Sequence, residues 1–337
     1  MKVIKFFAIT AMAAAMITSC SSEDELSQSN YPSDNIIRVT AGVNNAKTRA
    51  EGAGTEMKND FSLTIVNKNA PKYTYTDKVF SKSSGDWACS ETLLWQKSDA
   101  LVDIVAFAPA QQSKFNGVYA NGSIQPIAYS VADDQSTKSD NNDLLYYYAK
   151  DFNPGESLDK GKLKIQFNHA FCMIDINVTL GTEFNKPNVL DDSPIVKVTL
   201  GGTKIAANVD VTNAASVVTA SEEAAATDIT TTKGSFTPAE NADKKADPEV
   251  NAISRFSCIA IPQTVAANTF KVSLMTAGKR YEWTSAEPVV LKSGYRYTLN
   301  LSMGNDVVLL KGGSDNGGIT ATPWTEGDTG LKPLETE

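Results

Sequence analysis

The sequence predicts an all-β protein with two cores, and three observations carry that prediction. Short runs of alternating apolar and polar residues recur along the chain, each bounded by Gly, Pro, Asn, Asp or Ser, which is the period-2 signature of half-buried strands. Turn chemistry at Asn153-Pro154-Gly155 and Asp159-Lys160-Gly161 separates an earlier set of runs from a later one. The 337-residue chain is too long for one small sandwich and suits two domains of ordinary size. Domains are therefore expected over residues 36–158 and 159–337.

Residues 1–19 stand apart. Lys2 and Lys5 precede an apolar run over 6–17, too short to span a bilayer, and small residues lead to Cys20, so the segment reads as a signal peptide. Residues 20–35 are polar, with the acidic stretch Ser21-Ser22-Glu23-Asp24-Glu25, and read as a tether. A strand follows over 36–43, with Ile37, Val39, Ala41 and Val43 on one face and Arg38 and Thr40 on the other. Residues 44–56 form an exposed loop carrying Arg49, of the kind that proteases cut. Further strands are predicted over 61–66, 72–79, 91–95 and 100–108. Residues 121–142 read as a polar connection and 144–148 as a short strand or an aromatic contact surface.

In the later set, Leu163, Ile165 and Phe167 alternate with polar residues, as do Ile174, Ile176, Val178 and Leu180, but the phase shifts by one between them. One extra residue turns every later side chain to the other face, so a bend or bulge is expected over 169–173, with His169 at the break. Residues 206–251, dominated by Ala, Thr, Ser and charged side chains, read as long surface loops with scattered strand-like pieces such as Asn208 to Thr212. A last set of strands is predicted over 256–261, in a hairpin of 269–276 with 280–284, over 295–303 with Tyr297, Leu299, Leu301 and Met303 on one face, and over 307–310 and 319–324.

Composition narrows the function. Without Lys2 and Lys5 the remaining chain has 29 basic and 39 acidic side chains, a net charge of −10, which makes nucleic acid an unsuitable partner. Cys89, Cys172 and Cys258 are widely spaced and lack any Cys-x-x-Cys pair, so no metal site is indicated and no disulfide pairing can be chosen. No cofactor motif is present: residues 312–318 are glycine-rich but lack the order of a phosphate-binding loop. His169 is the single histidine and has no nucleophile elbow beside it, so an enzyme is not expected. Trp87, Trp95, Trp283 and Trp324 with Tyr146, Tyr147 and Tyr148 read either as core and edge packing or as a sugar-binding platform.

Several stretches taken together resemble a family. The residues before Cys20 are similar to a bacterial lipobox, whose cysteine is lipidated, and the acidic stretch after it resembles the tag of surface-displayed Bacteroidetes lipoproteins. With these go an early strand ending in Thr48-Arg49-Ala50, the spacing of Phe167 and His169, Leu291-Lys292-Ser293-Gly294 running into Tyr297-Thr298-Leu299, and the late stretch ending at Trp324. In this order they resemble the Bacteroidetes fimbrillins, subunits of the type V pilus.

The resemblance implies two β-sandwich domains of transthyretin-like topology and a chain anchored by lipid (palmitate) at Cys20 in the cell outer membrane, exposed at the surface or built into a fimbrium. It implies cutting between Arg49 and Ala50 by an arginine-specific protease. Loss of the first strand then opens a groove, which the C-terminal segment of a neighbouring subunit fills by β-strand addition. Ile37, Val39 and Val43 would be lost from the groove, roughly 5 to 8 kcal/mol of gross transfer free energy, so a replacement is required. The donor candidates are Val307, Val308, Leu309 and Leu310, and the stretch from Ile319 to Trp324. The same strands can instead complete their own sheet, and Arg49 can be an ordinary loop residue. The expected partners are other fimbrial subunits, the outer membrane, and a host or bacterial surface ligand in adhesion. A monomeric surface lipoprotein that holds a glycan or host protein on loops 121–142 or 206–251 is the alternative.

Overall fold

Two strands buried on both faces organise the first half of the chain, one a nearly unbroken apolar run and the other carrying buried Ser62 and Thr64 between its apolar residues. They are Phe61–Val66 and Val102–Ala108, buried along their whole length. The computed structural model describes residues 30–44, 55–57, 59–83, 85–111, 114–185, 190–239, 251–304, 308–310 and 319–324. Within them the protein is all-β and has two hydrophobic clusters. Val102–Ala108 serves both: Ile104, Ala106 and Ala108 belong to the first cluster, Val105 and Phe107 to the second. Asp103 interrupts this strand as a buried carboxylate, and it is compensated as buried charge must be. Lys68 Nζ lies 2.7 Å from it and the Asp151 N–H donates to it at 2.9 Å.

Around the first cluster, Leu145–Phe152, Val102–Ala108, Phe61–Val66, Tyr75–Ser83 and Asp86–Cys89 lie side by side, each antiparallel to the next. Two further strands, Val39–Val43 and Leu163–His169, pair in parallel over five residues. That pair joins Leu145–Phe152 through Leu145 with His169 and Tyr146 with Asn168, and joins Asp86–Cys89 through Val39 with Trp87. The pairings thus form a closed circuit of seven strands around Phe61, Leu63, Phe80, Ile104, Ile165 and Phe167.

The second cluster lies between a sheet built on Cys172–Leu180 and a four-stranded sheet that includes Ile195–Gly201 and Lys271–Thr276. Cys172–Leu180 pairs antiparallel with Ile253–Ala260 and parallel with Tyr295–Met303. Tyr297, Leu299, Leu301 and Met303 are all buried against this cluster, as their shared face predicts.

Several local expectations are revised. A short 3-10 turn, Pro71–Tyr73, precedes Tyr75–Ser83, because a proline suits the start of a turn better than a strand centre. Residues 91–95 form a single bridge, Leu94 with Ile36, rather than a strand, although Leu93 and Trp95 are buried. The 121–142 connection contains the strand Ile127–Ser130, which pairs with Ala206–Val209. Residues 206–251 contain four strands among the described residues, Ala206–Val209, Val218–Ala220, Ile229–Thr230 and Thr232–Thr237.

The phase shift near His169 is not a bulge within one sheet. Leu163–His169 belongs to the first sheet and Cys172–Leu180 to the second, and the chain crosses between them at Ala170 and Phe171. The two clusters consequently divide elsewhere than at residue 158, since Leu163, Ile165 and Phe167 fill the first and Phe115, Ile127 and Tyr129 the second.

Candidate strand-exchange site

The first strand is an interior element. Ile37, Val39 and Val43 are 6%, 4% and 3% exposed and fill the first cluster, while Arg38 and Thr40 face solvent, as alternation dictates. On one side it meets Leu163–His169: the Leu163 N–H donates to the Arg38 carbonyl at 2.7 Å and the Asn44 N–H to the Phe167 carbonyl at 2.8 Å. On the other side the Ile37 N–H donates to Leu93 at 2.9 Å and the Trp95 N–H to Asn35 at 2.8 Å. Farther along, Val39 lies opposite Trp87, and Gly42 and Val43 opposite Glu56 and Thr55. The Arg38 guanidinium forks onto Asp34 at 2.6 and 3.0 Å. That fork, with the Ile36 N–H, holds the Asp34 carboxyl down at about 2.

The C-terminal strands use a different kind of seat. Val308–Leu310 and Thr320–Pro323 both run antiparallel to Tyr295–Met303, on the same edge of it. Met303 faces Val308 and Thr298 faces Thr320, so five steps along the central strand correspond to twelve along the C-terminal chain. The two pieces form one edge strand with seven extra residues between them. All four side chains of Thr320–Pro323 are exposed. What holds this piece is its backbone ladder and an apolar plug at each end, Ile319 at 2% and Trp324 at 6% exposure, both in the second cluster. Val308 is buried there, Leu310 packs against it, and Leu309 lies opposite Ser302.

Trp324 docks where the chain crosses between sheets. Its ring stacks on His169, with centroids 3.7 Å apart and planes 14° apart. The imidazole is oriented by Asp143, whose carboxylate oxygens lie 3.0 and 3.1 Å from Nδ1. The Trp324 N–H donates to the Gly294 carbonyl at 2.7 Å and the Gly294 N–H to the Phe171 carbonyl at 2.9 Å. Gly294 has φ of 70°, the left-handed conformation that glycine adopts without strain. Asn44 reaches the same crossing from the first strand, its side-chain amide donating to Asn168 Oδ1 at 2.8 Å.

The structure therefore seats Ile37, Val39 and Val43 in the first cluster and Val308, Ile319 and Trp324 in the second. Cys20, Arg49, Ala50 and Val307 lie outside the described residues. Gly294 belongs to a stretch already noted in the sequence, whereas Asp143, Asn44 and Asn168 carry no sequence signal that marks them apart from their nearness to such stretches. The aromatic platform is replaced by packing: Tyr147 packs on the first cluster, Tyr146 and Tyr148 on the second, and Trp87 and Trp95 are buried. A depression of about 360 Å³ on the 121–142 segment includes Tyr129, Asn141 and Asn142 in its wall. The Tyr129 hydroxyl there donates to the Asn141 carbonyl at 2.7 Å, and burial with nearby Asp143 raises its pKa to about 12 despite the Gln111 amide. Cys89, Cys172 and Cys258 are free thiols, the last two buried and pushed up by that burial. No group of side chains suited to a metal ion occurs among the described residues.

Fold and site together define a structural protein of two β clusters, each completed by a strand from near one end of the chain. The chain belongs to the fimbrillin-like family, whose model matches residues 48–324. It is accordingly a fimbrial, non-enzymatic protein of the cell surface. Among solved structures it is similar to a candidate cell adhesion protein from Bacteroides ovatus, with 16% identity, a TM-score of 0.59, and coverage of 86% of this chain and 97% of that one. It is also similar to a fimbrial protein from Bacteroides vulgatus, with 14% identity, a TM-score of 0.53, and coverage of 86% and 99%. These likenesses establish the shared fold. No curated protein matches the sequence.

Proposed function

We propose that the protein is the lipid-anchored precursor of a fimbrial subunit, cut after Arg49 and assembled by strand exchange in cell adhesion. The observation that carries this reading is the contrast between the two strands. The first is an interior strand whose removal opens a groove between Leu163–His169 on one side and Trp87, Leu93 and Trp95 on the other. The C-terminal piece is an edge strand with solvent on all four of its side chains. An open groove with two unpaired edges and missing apolar contacts is a template for an incoming strand. The span of the family match also supports the reading, since it begins at residue 48, beyond the first strand, and ends at residue 324.

The lipid anchor at Cys20 rests on the sequence alone and accounts for retention at the outer membrane before cutting. The test is an N-terminal and intact-mass determination on protein taken from the cell surface, with a sizing experiment on purified chain cut by an arginine-specific protease. The reading expects Ala50 as the first residue of assembled material and oligomers in the cut sample only. A cut sample that stays monomeric, with its first strand gone, refutes it.

A further inference from the structure

We infer that the depression on the 121–142 segment is a binding site for one neutral sugar ring at the end of a glycan chain. The inference gives the adhesion in the reading above a ligand class, and it rests on that reading for its purpose alone, since the site is present in the uncut chain.

The pivot is Asn142, which is 6% exposed and stands in the wall of the depression. Its Oδ1 accepts the Ala132 N–H at 2.9 Å, which fixes the orientation of the amide and leaves the Nδ2 end without a hydrogen-bond partner among the described residues. A donor on so buried a side chain is costly to leave unmet, and the depression is where a partner from outside the chain can reach it. The wall around it is already built. The Asn142 N–H donates to the Ser139 carbonyl at 3.3 Å, and the Tyr129 hydroxyl accepts from the Gln111 amide at 2.5 Å while donating to the Asn141 carbonyl. A donor held this way loses little freedom when a ligand arrives.

The rest of the wall sets the chemistry of the ligand. Lys114 Nζ lies 5.0 Å from the centre of the Tyr129 ring and has no ion pair among the described residues. Asp134 lines the same depression, its carboxyl held below the usual carboxylate range by the Ser136 hydroxyl and N–H. One cation and one carboxylate offset each other, so the wall favours neither an anion nor a cation. Exposed Ser130 and Ser139 add hydroxyls that donate or accept. A compact neutral ligand with several hydroxyls answers all of these groups at once. Tyr129 is 3% exposed with Lys114 and Phe171 against its ring, so the sugar is gripped by its hydroxyls rather than by stacking. At about 360 Å³ the depression is near the small end of ligand sites, which run from about 300 to 1,000 Å³. It has room for one ring, and the chain beyond that ring lies outside.

The test is NMR on the uncut full chain, following the Ala132 backbone amide and the Asn142 side-chain amide as methyl glucoside, methyl galactoside and methyl mannoside are added. At least one is expected to move both resonances saturably, with a dissociation constant on the order of 1 mM. Asn142→Asp keeps the acceptor for the Ala132 N–H, removes the free donor, and weakens binding at least about tenfold as read at Ala132. Lys114→Met, at an exposed position, weakens it severalfold and serves as the check where Asn142→Asp does not fold. Lys72→Met, at another lysine over a tyrosine ring, changes nothing.

The inference is overturned if no methyl hexoside moves these amides at about 50 mM, or if the folded variants at Asn142 and Lys114 bind as the wild type does. It is overturned equally if methyl glucuronide binds more tightly than every neutral glycoside, or if a free hexose binds where its methyl glycoside does not, since the chain must leave through the anomeric oxygen. Strand exchange is judged separately by assembly of the cut chain, so either idea can fail while the other stands.

Discussion

Replacing Val39 by alanine tests whether the first strand is part of the first core. Val39 is 4% exposed, sits opposite Leu163 on one side and Trp87 on the other, and belongs to the cluster around Phe61 and Phe167. Alanine removes two carbon atoms, about 1.6 kcal/mol at about 0.8 kcal/mol each. Paired strands on both sides keep the site from collapsing, so a residual cavity brings the total to about 2–3 kcal/mol. Thr40→Ala, on the exposed face of the same strand, changes stability by no more than about 0.5 kcal/mol. Urea unfolding of the uncut chain, followed by tryptophan fluorescence, compares the two. At a slope of about 3 kcal/mol/M, Val39→Ala lowers the midpoint by about 0.8 M and Thr40→Ala leaves it nearly unmoved. Equal midpoints would refute the assignment of the first strand to the core.

Two further outcomes follow from the electrostatics and the thiols. The Asp34 carboxyl is depressed from 3.8 to about 2, so its contribution is fully present above pH 3.8 and is lost as pH falls through about 2. An NMR titration should place its midpoint near 2, and Arg38→Ala should return it toward 3.8; an unmoved midpoint would mean that the fork is not populated in solution. Brief alkylation of the native protein should label half-buried Cys89 ahead of Cys172 and Cys258, whose thiols are buried and held protonated. Peptide mass mapping that found Cys172 labelled first would contradict the packing of the second cluster.

Where alternation was strong the strands were legible, as at Phe61–Val66 and Tyr295–Met303, whose observed bounds match the apolar pattern residue for residue. Strands with little contrast between faces were not: Thr232–Thr237 was missed, and Ala206–Val209 was touched only by the strand-like piece at Asn208 to Thr212. Leu93 and Trp95 alternate like a strand because both are buried, although only one bridge forms beside them. The parity break at His169 was visible, but a bulge and a crossing between sheets shift parity identically, so its meaning lay in the tertiary structure. The same holds for the site. Ile37, Val39, Val43, Ile319 and Trp324 could be picked out by their apolar character. That Trp324 lies on His169, and Asn44 beside Asn168, depends on contacts between distant parts of the chain.

The strand Val102–Ala108 has a mechanical consequence. Because its alternate side chains are rooted in different clusters, melting either cluster strips the strand of its packing on that side, which couples the two energetically. A pull that strips one cluster from this strand therefore weakens the strand's hold on the other as well, so the two halves share load through it instead of bearing it independently.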